Sequence, residues 1–169
     1  MSTIKVDAIK TRAGNVPKAG DLGLNITGTV LQVVNATFDT KTDFTNNGSF
    51  SNSHITADIT PSSTSNKVLV TINTVISVDD TTTTFRNVTI GRNGSEASNI
   101  KILRSSYQNS GGADVQDLTI QHLDSPSSTS SVTYSLMADA QNVGMAVGGR
   151  MSTTNANQIS SITLMEIAG

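Results

Sequence analysis

The sequence predicts an all-β protein, an antiparallel, jelly-roll-like β-sandwich preceded by an extended N-terminal arm. Three observations carry that expectation. Short β-branched runs alternate apolar and polar residues, as in Ile55-Thr56-Ala57-Asp58-Ile59. Turn signals such as Asn93-Gly94, Gly111-Gly112 and Ser125-Pro126 separate the runs at the short spacing of a sandwich or barrel, the sandwich being the firmer of the two. No segment sustains the i, i+3, i+4, i+7 stripe that a helix needs.

Residues 1–28 form the arm. Ile4, Val6 and Ile9, then Leu22, Leu24 and Ile26, are its sparse apolar positions, and Gly14, Pro17, Gly20 and Gly23 break any long regular element. Lys5, Lys10, Arg12 and Lys18 against Asp7 and Asp21 give it a local positive excess, while the rest of the chain is net acidic. Such a composition fits a disordered leader, and it also fits a docking arm that orders only against a partner or a sister chain. A docking arm is the expectation for residues 1–28.

Residues 29–169 form the sandwich domain. A first strand runs from Thr29 to Thr40, built on Val30, Leu31, Val33, Val34 and Phe38. Ile55 to Ile59 is a half-buried strand that Pro61 and the serines after it stop. Val68, Val70, Ile72, Val75, Ile76 and Val78 make the longest strand, ending at Asp79-Asp80. Further strands are expected at Phe85 to Arg92, Ser98 to Arg104, Asp114 to Leu123, Ser131 to Ala140, Val143 to Val147 and Ile159 to Ile167. Asn93-Gly94 is the sharpest turn signal, because both residues tolerate the positive φ of a type I′ hairpin.

Two strands are apolar on both phases. Lys67-Val68-Leu69-Val70-Thr71-Ile72 carries aliphatics on each face. In Ile162-Thr163-Leu164-Met165-Glu166-Ile167, Ile162 and Leu164 point one way and Met165 and Ile167 the other. A sheet with one wet face alternates, whereas strands covered on both faces lose the alternation. One face fills the core, and the cover expected for the other is a second subunit. Leu69, Met165, Glu166 and Ile167 are therefore the candidate oligomer interface. Glu166 reads either as a solvent-facing charge or as an interface carboxylate paired with Arg86, Arg104 or Arg150.

The chemistry-bearing residues are few. His54 and His122 stand in no metal-binding spacing, Asp79-Asp80 lacks a calcium loop around it, and Asp39 and Asp43 lack the aromatic platform of a sugar-cleaving site. Gly144, Gly148 and Gly149 read as bend or bulge glycines, and no GxSxG elbow occurs. No catalytic, metal or cofactor site is expected. With no Cys, the chain has neither disulfides nor thiol nucleophiles. A formal charge of −2 argues against nucleic-acid or anionic-membrane binding. The absence of a bilayer-length apolar run argues against membrane insertion, and the first residues lack a signal-peptide core, so synthesis in a reducing cytoplasm is expected.

Ser2-Thr3-Ile4-Lys5-Val6-Asp7-Ala8-Ile9 followed by Thr11-Arg12-Ala13-Gly14 resembles the opening repeat of structural and tail-fibre-like proteins of marine bacteriophages. The body resembles the compact domain that often follows. Its marks are Gly28-Thr29-Val30-Leu31-Gln32-Val33-Val34, Ile59-Thr60-Pro61-Ser62-Ser63, Asn66-Lys67-Val68-Leu69-Val70, the Arg92-Asn93-Gly94 turn, Ser131-Val132-Thr133-Tyr134-Ser135-Leu136 and the closing Ile162 to Ile167. Each motif is short, and their order carries the resemblance. It implies a jelly-roll-like knob of the tumour-necrosis-factor and complement C1q type, homotrimeric and non-enzymatic. It also implies a place on the virion, with the arm docking through Ile4, Val6, Ile9 and Arg12. Tail fibres usually have a long shaft, and here only about 28 residues precede the domain.

The function expected is a tail-fibre-type surface appendage of a phage particle, with itself and other virion proteins of tail or capsid as partners. In that setting the loops Asp79 to Thr84 and Ser105 to Gly112 would face outward toward a host-surface glycan. The alternatives are a capsid decoration protein (a cement or head-fibre protein) and a stand-alone carbohydrate-binding module, against which the absence of Trp counts. An enzyme acting on polysaccharide would need a carboxylate cluster that the spacing does not supply.

Overall fold

A computed structural model describes residues 26–45, 48–80, 84–96, 104–108, 112–140, 144–151 and 157–169, with the backbone alone described at 79–80, 84–86, 104–108 and 112–114. The arm positions Ile4, Val6, Ile9 and Arg12 lie outside these residues, as does most of the strand expected at Ser98 to Arg104.

The alternating runs become β1 (Val30–Phe38), β2 (Thr42–Phe44), β3 (Ser51–Ile59), β4 (Lys67–Asp80), β5 (Thr84–Arg92), β6 (Ser95–Glu96), β7 (Arg104–Gln108), β8 (Gly112–Asp124), β9 (Val132–Ala140), β10 (Met145–Val147) and β11 (Ser160–Ile167). All pairings between them are antiparallel. The strand expected at Val143 to Val147 contracts to β10. Thr42-Asp43-Phe44, too short to show a period, forms β2 all the same by pairing with β10.

The register shows that several strands are halves of one row. Phe44 faces Met145 and Thr42 faces Val147; further along the same edge, Phe38 faces Ser160 and Val30 faces Ile167. β1 with β2 is thus one interrupted strand, lying against β10 with β11. In the same way β6 and β7 both pair with β5, at its two ends. The first sheet then has four rows in the order β1/β2, β10/β11, β4, β8, and the second has β3, β9, β5, β6/β7.

Followed along the chain, successive rows alternate between the two sheets, except at the β5–β6 hairpin, where they stay in one. The first and eighth rows lie side by side in one sheet, and the second and seventh in the other. That is the eight-strand double Greek key of a jelly roll. The expected sandwich is present, and its topology is of the expected kind.

Between the sheets, Val68, Val70 and Ile72 of β4, Ile162 and Leu164 of β11 and Ile120 of β8 meet Ile55, Ile90, Tyr134 and Leu136 of the second sheet. Val34, Ala36 and Phe38 close the core at its β1 edge. At roughly 1.5–3 kcal/mol for each aliphatic side chain fully buried, this cluster is the main source of stability. Asn93 (φ 53°) and Gly94 (φ 76°) turn the β5–β6 hairpin with the two positive φ angles that the sequence suggests. Where β10 ends, Gly148 (φ 84°) donates its N–H to the Val75 carbonyl, and its own carbonyl accepts from Gln158 N. The departure from β10 and the return to β11 are therefore pinched together at one residue.

Candidate functional site

Successive residues of a strand face opposite sides, so the register identifies what lies on the outer face of the first sheet. Met165 of β11 pairs with Val33 of β1 on one side and with Leu69 of β4 on the other, and Leu69 pairs with Leu123 of β8. The four side chains form one apolar row across the whole sheet, about 14 Å wide at the usual strand spacing. Val33 is 56 % exposed and Leu123 46 %, while Met165 and Leu69 between them are half-buried.

A second apolar pair borders the row. β1 carries a bulge between Val30 and Gln32, which puts Val30 on the outer face opposite Ile167 while Gln32 turns inward. Of the six most exposed large hydrophobic residues described, Val30, Val33 and Leu123 all fall in this patch. On its other side the face turns polar at once. Asn35 Nδ2 donates to Thr163 Oγ1 at 2.9 Å, Gln121 Nε2 to Thr71 Oγ1 at 2.9 Å, and in the next row Thr119 Oγ1 to Asn73 Oδ1 at 2.9 Å. The patch is a bounded stripe with a hydrogen-bonded border, unlike scattered exposed aliphatics.

Of the expected interface residues, Leu69, Met165 and Ile167 come together here. Val30, Val33 and Leu123 join them, which sequence reasoning missed; the only local signal was the apolar content on both phases of Val30 to Val34.

Glu166 does not belong to this face, and its position corrects both sequence readings. It shares the inward phase with Ile162 and Leu164 and is 1 % exposed. Its Oε1 accepts from Ser62 N (2.6 Å), Ser62 Oγ (2.7 Å) and Asn66 Nδ2 (2.6 Å), and its Oε2 from Gln32 Nε2 (2.6 Å). Donors of its own chain take the place of the expected arginine. They tie the loop after Pro61 to the last strand, and the side chain is buried within its own chain. Burial pushes the Glu166 carboxyl up, but the hydrogen bonds from Asn66, Ser62 and Gln32 outweigh it and hold it below the usual carboxylate range.

The remaining polar clusters are structural in their geometry. Asp124, on β8, is 3 % exposed and accepts from Arg92 Nη1 at 2.8 and 3.1 Å and from the Tyr134 hydroxyl at 2.7 Å. Arg92 and Tyr134 belong to the second sheet, so the cluster clasps the two layers. Burial, then the hydrogen bond and charge of Asp124, push the Tyr134 hydroxyl far up despite Arg92, so it stays protonated. His54 Nδ1 lies 2.6 Å from Thr42 Oγ1, its ring meets Phe38 edge-on at 5.6 Å, and burial lowers its pKa. Asp43 forms an exposed pair with Lys41 at 3.0 Å. Among the described residues no three His, Asp or Glu side chains could share a metal ion.

No protein-family model and no curated protein matches the chain. Among solved structures it is similar to a protein of the infectious bursal disease virus Gx strain, with 13 % identity, 83 % of this chain and 39 % of that chain covered, and a TM-score of 0.36. It is also similar to a chain of the T13 particle of that virus (11 %, 98 % and 40 %, TM-score 0.37). A third likeness is to a mutant VP2 protein of the virus in T=1 particles (13 %, 83 % and 37 %, TM-score 0.35). The chain spans about two fifths of the length of these chains. The jelly-roll assignment rests on the strand order alone.

Proposed function

We propose that this chain is a non-enzymatic structural protein of a bacteriophage particle, a jelly-roll module that packs against its own copies through the outer face of the first sheet. The carrying observation is the Val33–Met165–Leu69–Leu123 row. An apolar stripe that crosses all four rows of a sheet and stops at a polar ladder has the anatomy of an interface core with its rim. The row itself contains no charged side chain, and Lys67, opposite Ile167, stands at the edge of the patch. Jelly rolls are recurrent building units of viral shells, and the ordered motifs of the sequence resemble tail-fibre-like phage proteins.

In the finer form of this reading the assembly is a homotrimeric surface appendage of tail-fibre type, docked on the virion through Ile4, Val6, Ile9 and Arg12. Light scattering on the purified chain tests the assembly: a stable trimer is expected, and a monomer at high concentration would overturn the reading. Immunogold labelling of particles tests the location. Label over the tail is expected, whereas label over the head would make the chain a capsid decoration protein instead.

A further inference from the structure

The second sheet carries a different kind of surface. On its outer side a groove of about 410 Å³ opens between β3, β9 and the β5–β6 turn. Its walls include Asn52, Thr56, Thr133, Ser135 and the Asn93-Gly94 turn, with no charged, aliphatic or aromatic residue among the lining. The β3–β9 register shifts between Asn52 and Thr56, which breaks the regular ladder at this place.

The two carboxamides are held in fixed orientations. Ser135 Oγ donates to Asn52 Oδ1 at 2.7 Å, and the backbone N–H of Thr133 donates to Asn93 Oδ1 at 3.0 Å. With each oxygen engaged, the planar amides leave both Nδ2 groups without a partner among the described residues, two N–H donors apiece. Thr56 Oγ1 gives its proton to the Tyr134 carbonyl at 3.1 Å, which leaves the oxygen open as an acceptor. Even the turn leaves space: a Cβ on Gly94 would lie 3.9 Å from Asn52 Nδ2.

We infer that this groove binds a neutral saccharide. Fixed amide donors beside hydroxyl acceptors match adjacent sugar hydroxyls, which donate and accept together. An anion would find no cation in the lining and an apolar ligand no apolar side chain to cover it. The volume lies at the small end of the range for ligand sites, suited to one or two sugar rings. With no aromatic platform in the lining, the groove would hold a sugar by hydrogen bonds alone, and weak binding by a single copy is expected. Copies displayed on one particle would convert that into useful avidity. The inference does not depend on the proposed assembly, because each chain carries a whole groove.

The test is a titration of the ¹⁵N-labelled full chain with glucose, galactose, N-acetylglucosamine and lactose, following the side-chain amide signals of Asn52 and Asn93 and, in the variants as well, the backbone amide signals of Gly94 and Ser135. Saturable shifts of both pairs with at least one of these sugars are expected, with a weaker response to glucose 6-phosphate. Asn52→Asp and Asn93→Asp keep the acceptors for Ser135 and Thr133 while removing the donors. Together they should weaken binding roughly tenfold or more, with the rest of the spectrum unchanged. No saturable shift with any of the four sugars would overturn the inference. So would undiminished binding in the double variant, or an equal response to the phosphate.

Discussion

Met165 lies directly opposite Leu69 on the outer face of the first sheet, while the next residue, Glu166, turns into the molecule and is sealed there by four hydrogen bonds. Two adjacent residues of one strand therefore serve opposite ends: one presents apolar surface outward and the other anchors the loop after Pro61.

Charging the row separates assembly from folding. Leu69→Asp combined with Met165→Asp puts two carboxylates at the middle of the patch without touching the core face of β4 or β11. The expected result is loss of the oligomer in light scattering, with far-UV circular dichroism and the cooperative unfolding transition retained. The same substitutions at the core residues Val70 and Leu164 should abolish folding, since an unpaired charge there has no partner.

Much of this architecture was legible in the chain. Ile55, Ala57 and Ile59 alternate within a few residues of one another, so their strand shows in any short window, and Asn93-Gly94 announces its own turn. What the sequence could not show is register. Val33 and Leu123 are 90 residues apart and become members of one row only through β11 and β4. Glu166 misled for a related reason: as a charged residue between Met165 and Ile167 it looked outward-facing, and its donors Gln32, Ser62 and Asn66 come from distant segments.

Acid should weaken the fold in two separable stages. Two of the shifted groups, His54 and Glu166, have folded pKa values below their ordinary ones, so each contributes stability that is complete above the ordinary value and is lost as pH falls toward the folded one. His54, lowered from 6.5 by burial, governs the first stage below pH 6.5. Glu166, lowered from 4.5, governs the second below pH 4.5. Urea denaturation across this range should show both declines. Glu166→Gln should flatten the lower stage and His54→Gln the upper, and an unaltered profile in either variant would exclude that residue as the source.

The Asp124 clasp gives a graded series. Tyr134→Phe removes one hydrogen bond to a carboxylate that keeps Arg92, at a cost of about 1–2 kcal/mol. Asp124→Ala leaves the fully buried Tyr134 hydroxyl without its acceptor and Arg92 without its pair, and should cost about 3 kcal/mol or more. Thermal denaturation of the two variants should keep that order. Because both partners of Asp124 are on the opposite sheet, the loss measures the joining of the layers and not the strength of either sheet.

Gly148 supports the one place where the β10/β11 row is interrupted, and two independent constraints meet there. Its φ of +84° disfavours any residue with a side chain, and a Cβ at this position would lie 2.6 Å from the Thr40 carbonyl oxygen and 2.9 Å from His54 Cε1. The obstructing oxygen is backbone, so relief would require the connection between β1 and β2 to shift. Gly148→Ala should therefore destabilise by about 2 kcal/mol or more, well beyond the cost of the positive φ alone. Gly91 offers the comparison. A Cβ there would run into Met137 Sδ, but the flexible thioether can swing aside and the backbone is not in the left-handed region. If Gly91→Ala lowered the melting temperature as much as Gly148→Ala, the distinction between a backbone obstacle and a movable side chain would be wrong.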